Sequence, residues 1–445
     1  MSKPISTSSI LLMAALFAGS AAAQGFDLRN LLGQPATATA VPPSVSGSRV
    51  WSGESGASGH PLMTSDAIRS AAANFPNCIA GLWPDASRRG VSRDTFEAAT
   101  SDLTPDLRIM DLLDQQPEFT KSFWDYLDLL VSEARIQRGR ELLAQYKSVF
   151  DAVEKTYGVD RRVVAAIWGV ETNYGTMGGD RSVLRSTATL ACVGRRQAYF
   201  RDEFLSTLEI LERRDVAPDA LKGSWAGAFG PTQFMPSTFK RFAVDFDGDG
   251  RRDVVNSVAD VIASTANNLK LDGWVPGQTW GYEVVVPANF NYMLADRSRP
   301  MTIADWQKLG IARAGGKPFP RASDRAYLLV PAGVRGPAFL MLQNFRVIMK
   351  YNPAEAYALA IGHLADRFRG DGAFAQAWPR DERVLTLAER YELQQLLAQR
   401  GFDVGDPDGR LGGKSRSAIM KYQASIGLPP DGFASASVLD RLRGQ

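Results

Sequence analysis

One acidic residue follows a run of apolar residues, and this position suits it for acid–base chemistry. Residues 163–175 read VVAAIWGVETNYG, so Glu171 comes directly after eight residues that are all apolar or glycine. A helix that is apolar nearly all round is a buried helix. A carboxylate in such surroundings either pairs or has its pKa raised, and a raised pKa is what a general acid needs at neutral pH. Glu171 is therefore a candidate catalytic acid; the alternative is a glutamate that reaches solvent or pairs with an arginine.

A second segment combines glycines, aromatic residues and short polar side chains. Residues 223–239 read GSWAGAFGPTQFMPSTF, with Ser224, Thr232 and Gln233 in the turn and Pro236 where a new helix should begin. Such a turn brings backbone close to a bound ligand and offers hydroxyl and amide groups to sugar hydroxyls and N-acetyl groups. The alternative is a tight loop between helices whose glycines serve packing alone.

A third segment has the spacing of a calcium-binding loop. Residues 245–253 read DFDGDGRRD, with a glycine at the sixth position and carboxylates at the first, third and fifth, namely Asp245, Asp247 and Asp249. Arg251 would contribute only its backbone carbonyl, and position twelve is Asn256 instead of a bidentate glutamate. Asp260 is a further candidate ligand. Hard oxygen ligands favour Ca²⁺, and we expect a structural site; the alternative is an aspartate-rich turn without metal.

Long helical periodicity surrounds these segments. Asp160 is expected to cap a helix that runs to about Val170, and apolar residues recur at intervals of three and four from about Leu62 onward. Between about 280 and 335 the stretches YEVVVP and AYLLVP indicate short strands, and helices are expected again from Pro337 to about Arg369. The fold class is therefore mainly α, with a small β-containing insertion.

Composition divides the chain into five parts. Residues 1–23 have the apolar core and small-residue end of a cleaved signal peptide, with cleavage expected after Ala23. Residues 24–62 are rich in Gly, Ser, Thr and Pro and suit a flexible tether. The helical body covers 63–372 and a short linker covers 373–384. Residues 385–445 alternate helix and turn and suggest a small three-helix binding domain.

Charge, the length of the apolar run and the two cysteines bear on partners, membrane insertion and cross-linking. The formal net charge is only +3, and basic residues occur in short pairs, so we expect no nucleic-acid partner. The apolar run at 10–19 is shorter than the roughly 20 residues of a membrane-spanning helix, so no span is expected in the mature chain. In an exported protein, Cys78 and Cys192 suggest a disulfide; two buried thiols are the alternative.

Taken together, these motifs resemble those of the B-type lytic murein transglycosylases. ETNYG after an apolar helix and GSWAGAFGPTQFMPSTF some fifty residues later carry the resemblance, with FWDYL at Phe123, RRQAYF at Arg195 and QNFRVIMKYNPAEAYALAIGHLADR from Gln343. The resemblance covers residues 65 to 370 and implies a lysozyme-like helical catalytic domain. The last part of the chain, including KSRSAIMKYQASIGLPPDG, resembles the small peptidoglycan-binding domain often appended to such enzymes.

The resemblance assigns roles to individual residues. It implies that Glu171 is the acid/base and that Ser224 and Gln233 contact substrate near the scissile bond. It also places several residues along a glycan groove, where tyrosine rings could stack on sugars: Tyr126, Tyr199, Tyr351, Asn352 and Tyr357. One departure is Asn267-Asn268, where family members often carry a tyrosine.

The implied reaction needs a single carboxyl group and no catalytic cofactor. Glu171 would cleave the bond between N-acetylmuramic acid and N-acetylglucosamine and close a 1,6-anhydro ring. The expected partner is the peptidoglycan glycan strand in the periplasm, and other cell-wall enzymes are further candidate partners. Two rival interpretations are a hydrolytic muramidase, which would need a second carboxylate, and a wall-binding protein without activity.

Overall fold

The computed structural model describes residues 51–54, 60–113 and 121–444 of the chain. The predicted signal peptide and the first part of the predicted tether lie outside the described residues. Residues 51–54 belong to that predicted tether, yet they contact the folded body. The hydroxyl of Ser52 donates to Asp111 Oδ1 (2.6 Å), and the carbonyl of Gly53 accepts a hydrogen bond from Ser65 Oγ (2.9 Å). This part of the tether is therefore fastened to the body.

The described chain is mainly helical, as predicted. In the body the helices are α1 (Ser65–Ala73), α2 (Phe75–Ala80), α3 (Trp83–Arg88), α4 (Arg93–Thr100), α5 (Phe123–Leu130), α6 (Glu133–Gln145), α7 (Lys147–Tyr157), α8 (Arg161–Thr172), α9 (Val183–Cys192), α10 (Gln197–Arg213), α11 (Pro236–Phe242), α12 (Val258–Leu271), α13 (Ile303–Lys308), α14 (Gln343–Tyr351) and α15 (Glu355–Arg369). Short 3-10 helices occur at Pro61–Met63, Leu107–Asp111, Tyr292–Leu294, Ala314–Gly316 and Gly333–Arg335.

Helix α8 lies at the centre of the largest apolar core. Every residue from Val163 to Val170 is buried, as the sequence predicted for an apolar helix. Asp160 caps its start by accepting a hydrogen bond from the backbone N–H of Arg162, and the helix ends at Asn173 in the left-handed region (φ 48°). Helix α15 packs along α8, with α5 and α6 beside it. The core of the protein therefore fixes the end of α8, which carries Glu171.

The N-terminal helices form a second core against α9 and α10. Cys78 in α2 and Cys192 at the end of α9 form a disulfide, with their Cα atoms 6.0 Å apart and a sequence separation of 114. The cross-link joins the first helices to the pair α9 and α10. It closes a long loop in the unfolded chain and so lowers the conformational entropy of the unfolded state.

The insertion is a five-stranded sheet in which every paired strand is antiparallel. Its strands are β3 (Gly281–Val285), β4 (Met301–Thr302), β5 (Ala312–Arg313), β6 (Arg325–Leu329) and β7 (Ala338–Met341), in the order β4-β6-β7-β3-β5. Leu340 lies opposite both Leu328 and Tyr282, which sets the register at the centre. A two-stranded ribbon pairs β1 (Arg181–Ser182) with β2 (Lys222–Gly223).

The sequence-based expectation of a helix starting at Pro337 is wrong for its first residues. Residues 338–341 form β7, and the helix starts at Gln343. All four residues of β7 are buried between β3 and β6, and a short apolar run of this kind has no periodicity that separates strand from helix.

The C-terminal segment folds into α16 (Leu387–Gln399), α17 (Gly413–Ser425) and α18 (Ala436–Arg443), the predicted three helices, around its own apolar core. Thr386 and Glu389 form a reciprocal capping box at the start of α16. In the described part of the chain, no helix is both long and apolar enough to cross a membrane.

Candidate active site

Glu171 lies in the last turn of α8, partly buried, and contacts a tyrosine from α15. The hydroxyl of Tyr357 donates a hydrogen bond to Glu171 Oε1 over 2.6 Å. Tyr357 is only 2% exposed. Burial, and after it the negative charge of Glu171, raise the pKa of Tyr357 well above its usual value. Its hydroxyl therefore stays protonated and acts as a fixed donor to the carboxylate.

The next residue along the chain attaches the end of α8 to the glycine-rich segment 223–239. Thr172 is completely buried, and its hydroxyl donates to the carbonyl of Pro231 (2.5 Å) while accepting from the N–H of Gly175 (2.8 Å). Sequence reasoning did not single out Thr172. The signal was present, because a hydroxyl beside the candidate acid at the end of a buried helix needs a partner.

A tyrosine from α14 also holds this segment. The hydroxyl of Tyr351, at the end of α14, donates to the carbonyl of Thr232 (2.6 Å). Burial, and after it the charge of Glu171, raise the pKa of Tyr351 well above its usual value. Asn352 follows, and its Oδ1 accepts from the N–H of Ala354, just before α15 begins.

Ser224 and Gln233 both shape the glycine-rich turn. Ser224 Oγ accepts from the N–H of Ala228 (3.0 Å), while the Ser224 N–H donates to the Ala228 carbonyl (2.7 Å). Gly223 lies so close to Ala228 that a Cβ atom could not fit there. Gln233 Nε2 donates to the carbonyls of Gly178 (3.2 Å) and Gly230 (3.1 Å), and so links this turn to the loop after α8.

Unfavourable backbone conformations cluster around Glu171. Within the described residues, five non-glycine residues have positive φ, and three of these are Asn173 (48°), Tyr174 (60°) and Gln233 (53°). Tyr174 is held in place by its hydroxyl, which donates to the buried carbonyl of Arg135 (2.7 Å). Strained backbone persists only where surrounding contacts over-determine it, and it concentrates at functional sites.

The remaining predicted groove residues differ from expectation. Tyr126 is 1% exposed, and with Tyr357 at 2% neither ring presents a face on which a sugar could stack. The stacking role implied for these two tyrosines therefore does not fit the structure, because their rings fill the core. Tyr199 is 41% exposed and lies under the guanidinium of Arg196 (4.6 Å to the ring centroid). The ring of Tyr199 contacts Arg196, just before α10, and Phe200 within that helix.

Another carboxylate fixes the helix that follows the turn, and sequence reasoning missed it. Glu203 in α10 is 1% exposed and accepts hydrogen bonds from both the N–H (2.9 Å) and the hydroxyl (2.7 Å) of Ser237. Ser237 is the second residue of α11, where backbone N–H groups have no partner within the helix. The buried carboxylate of Glu203 supplies an acceptor for that N–H. A lone glutamate in the middle of a helix gives no sequence signal of this.

The acidic loop brings its three predicted carboxylates together. In the described part of the chain, Asp245, Asp247 and Asp249 each offer an oxygen, and these oxygens all lie within 4.8 Å of one another. Asp245 accepts from the N–H groups of Gly248 (2.7 Å) and Gly250 (2.9 Å). Asp249 Oδ1 accepts from the N–H of Arg251 (2.8 Å). The loop is therefore shaped by its own backbone so that the carboxylates converge.

Asp260 lies beneath this loop instead of among the three converging oxygens. It is fully buried, and its Oδ1 accepts from the N–H of Phe246 (2.7 Å) while its Oδ2 accepts from that of Asp253 (2.8 Å). Burial raises the pKa of Asp260. Both carboxylate oxygens of Asp260 therefore accept hydrogen bonds from backbone N–H groups of the loop.

Comparison with known proteins identifies the class to which this fold and site belong. Residues 74–366 match the transglycosylase SLT domain family, and residues 386–442 match a putative peptidoglycan binding domain. The first match spans well over half of the chain. The chain therefore belongs to the SLT-domain transglycosylases, and it is a lytic murein transglycosylase with a C-terminal peptidoglycan-binding domain.

Three similar proteins illustrate the relationship. Membrane-bound lytic murein transglycosylase B of Escherichia coli is 29% identical over 302 residues, which are 66% of this chain and 82% of that protein. SltB3 from Pseudomonas aeruginosa, solved in complex with NAG-anhNAM-pentapeptide, is 44% identical with a TM-score of 0.80, over 83% of this chain and 99% of the other. The Escherichia coli lytic transglycosylase Slt35, solved in complex with calcium, is 28% identical with a TM-score of 0.57, over 66% and 92%.

Proposed function

We propose that Glu171 alone performs both the acid step and the base step of peptidoglycan cleavage. The observation that carries the proposal is the hydrogen bond from Tyr357 to Glu171 Oε1. It fixes the orientation of the carboxyl group that exchanges a proton with substrate. Tyr357 remains neutral throughout because its pKa is raised.

In the first step, protonated Glu171 donates its proton to the oxygen between N-acetylmuramic acid and N-acetylglucosamine. The bond from C1 of the muramoyl residue to that oxygen breaks and leaves an oxocarbenium-like centre. Dipoles of the turn at 223–239 and the substrate's N-acetyl group stabilise the developing positive charge. Ser224 still has its hydroxyl proton to donate, because its oxygen serves the turn only as an acceptor.

In the second step, the Glu171 carboxylate removes the proton from the C6 hydroxyl of the muramoyl residue. The C6 oxygen attacks C1, a new C1–O6 bond closes the 1,6-anhydro ring, and Glu171 is protonated again. No water is consumed, which separates this reaction from hydrolysis. SltB3, a relative at 44% identity, was solved with a ligand that contains the anhydro sugar, and this supports the same product here.

We also propose that a Ca²⁺ ion binds the acidic loop. The converging oxygens of Asp245, Asp247 and Asp249 are hard donors that fit this cation, and Slt35 was solved in complex with calcium. The ion would offset the mutual repulsion of three neighbouring carboxylates and stabilise the loop that connects α11 to α12. It would take no part in bond cleavage.

Residues 1–23 and the nature of the substrate support action in the periplasm. Peptidoglycan is the partner, and a leader of this composition suits export. Other cell-wall enzymes remain proposed partners.

The test compares wild type, Glu171→Gln and Glu97→Gln on purified peptidoglycan sacculi, with mass spectrometry of the soluble products. Glu97 is an exposed glutamate paired with Arg93 on α4 and serves as the matched control. We expect 1,6-anhydromuramoyl products from wild type and from the control variant. Glu171→Gln should be slower by at least roughly 100-fold, as expected for loss of a general acid–base group. Products with a reducing end would instead show hydrolysis, and binding without release would show a wall-binding protein.

A further inference from the structure

The C-terminal domain contacts the helix that carries Tyr357. Arg416, in α17, lies with one guanidinium nitrogen 3.0 Å from Glu355 Oε2. Glu355 is the first residue of α15, and its other oxygen lies 3.2 Å from a guanidinium nitrogen of Arg297 in the β-containing insertion. The Glu355 side chain is only 10% exposed. One carboxylate therefore joins three parts of the molecule at the start of α15, largely away from solvent screening.

The start of α15 is packed in the core but has no side-chain cap. The residue before the helix is Ala354, whose side chain cannot cap it, and only Asn352 covers the N–H of Ala354. Tyr357 lies two residues after Glu355, within the same first turn, where helices fray most readily. A contact that holds Glu355 thus also holds the turn from which the Tyr357 hydroxyl reaches Glu171.

A second contact shows that the C-terminal domain is seated at this place and not merely tethered. The N–H of Val334 donates to Asp431 Oδ2 (2.9 Å), and Asp431 is only 8% exposed. Gly333 approaches Asp431 so closely, with φ of 63°, that no Cβ atom would fit there. Glu382, in the linker, accepts from Arg335 (3.1 Å) and from the N–H of Ala436 (3.3 Å). These contacts fix the domain with Arg416 facing Glu355.

We propose that Arg416 is a positioning residue for catalysis. By holding Glu355 it fixes the first turn of α15, and the fixed turn places the Tyr357 hydroxyl on Glu171. The C-terminal domain then has a second role beside binding peptidoglycan, because the catalytic site is fully ordered only while that domain is docked. The proposal rests on the role proposed above for Glu171.

The experiment uses the full-length protein and a short soluble glycan of alternating N-acetylglucosamine and N-acetylmuramic acid, with chromatography of the anhydro products. Arg416→Ala should lower kcat roughly 5- to 50-fold, because small displacements of a catalytic group are costly, and should change KM less than about twofold. Arg416→Lys should recover most of the activity. Lys414→Ala is the control, since Lys414 is a basic residue of the same helix that pairs with Asp403 inside the C-terminal domain.

A double-mutant cycle then asks whether Arg416 acts through Tyr357. In a Tyr357→Phe background, Arg416→Ala should have little further effect on kcat, because the contact that it supports is already gone. If Arg416→Ala retains the wild-type kcat on the short glycan, or if the two effects multiply as independent changes, Arg416 only tethers the domain and the positioning role is wrong. Glu171→Gln in the same assay keeps the two proposals apart. An active Glu171→Gln variant would overturn the proposed function itself, whereas an inactive one beside a fully active Arg416→Ala would overturn the positioning role alone.

Discussion

Replacing Tyr357 by phenylalanine tests the site at its most specific contact. The substitution removes one oxygen atom, 2.6 Å from Glu171 Oε1, and leaves a ring that fills the same buried space. The turn at 223–239 keeps its own anchors, since Thr172 and Tyr351 hold it independently. The change is therefore confined to the orientation of one carboxyl group.

The size of the effect follows from the kind of hydrogen bond. A hydrogen bond to a charged group is worth about 1.5–3 kcal/mol, and each 1.36 kcal/mol corresponds to a factor of about ten in rate. Loss of the Tyr357 hydroxyl should therefore lower kcat by roughly 10- to 150-fold. KM should change little, because Tyr357 is 2% exposed and offers substrate almost no surface.

The assay is the release of anhydro products from a short glycan, measured as kcat and KM for each variant. Tyr282→Phe is the matched control: Tyr282 is also buried, but it lies in the sheet against Phe319. In a Glu171→Gln background, the Tyr357 substitution should add nothing. A Tyr357→Phe variant with kcat within about twofold of wild type would refute the view that this hydroxyl orients the acid.

Three further predictions concern stability and the metal. Thr172→Val should leave the Pro231 carbonyl and the Gly175 N–H without partners at roughly 1–3 kcal/mol each, and so lower Tm and kcat together in calorimetry and activity assays. Adding Ca²⁺ after chelation should raise Tm by a few degrees without changing kcat, and a charge-removing substitution of Asp247 should abolish that rise. Burial raises the pKa of Asp366 from 3.8 to about 6, so the contribution of this group to the free energy of unfolding falls as pH rises between about 4 and 6. Burial lowers the pKa of His363 from 6.5 to about 4, so its contribution grows as pH rises between about 4 and 6.5. In Asp366→Asn the effect of His363 remains, so Tm measured by thermal denaturation should rise between about pH 4 and 6.5. In a variant with a neutral replacement of His363 the effect of Asp366 remains, so Tm should fall between about pH 4 and 6.

Features encoded in adjacent residues could be predicted from the sequence. The all-apolar stretch before Glu171 predicted a buried helix capped by Asp160, and the structure has that helix at Arg161–Thr172. The spacing of the aspartates predicted that Asp245, Asp247 and Asp249 converge, and their oxygens do so. In each case the determining interactions act over a few residues, through periodicity, capping or loop geometry.

Features that depend on distant residues could not be derived from local patterns. Tyr357 is separated from Glu171 by 186 positions in sequence, and only the packing of α15 on α8 shows that its hydroxyl, and not its ring face, contacts Glu171. The same holds for β7, whose four apolar residues become a strand because β3 and β6 flank them. The docking of Arg416 on Glu355 joins two domains that the sequence presents as independent modules.

The role proposed for Glu171, a single group that acts first as an acid and then as a base, accounts for a tyrosine as its hydrogen-bond donor. A single residue that is first an acid and then a base must hold the same geometry in both protonation states. An arginine at this place would hold the carboxylate strongly in its charged form and oppose the acid step, because an adjacent positive charge favours ionisation. A neutral hydroxyl orients Oε1 with a much weaker preference between the two states, and burial together with the charge of Glu171 keeps that hydroxyl protonated. The reaction can then return Glu171 to its starting state with no second carboxylate, provided that the first turn of α15 stays in place.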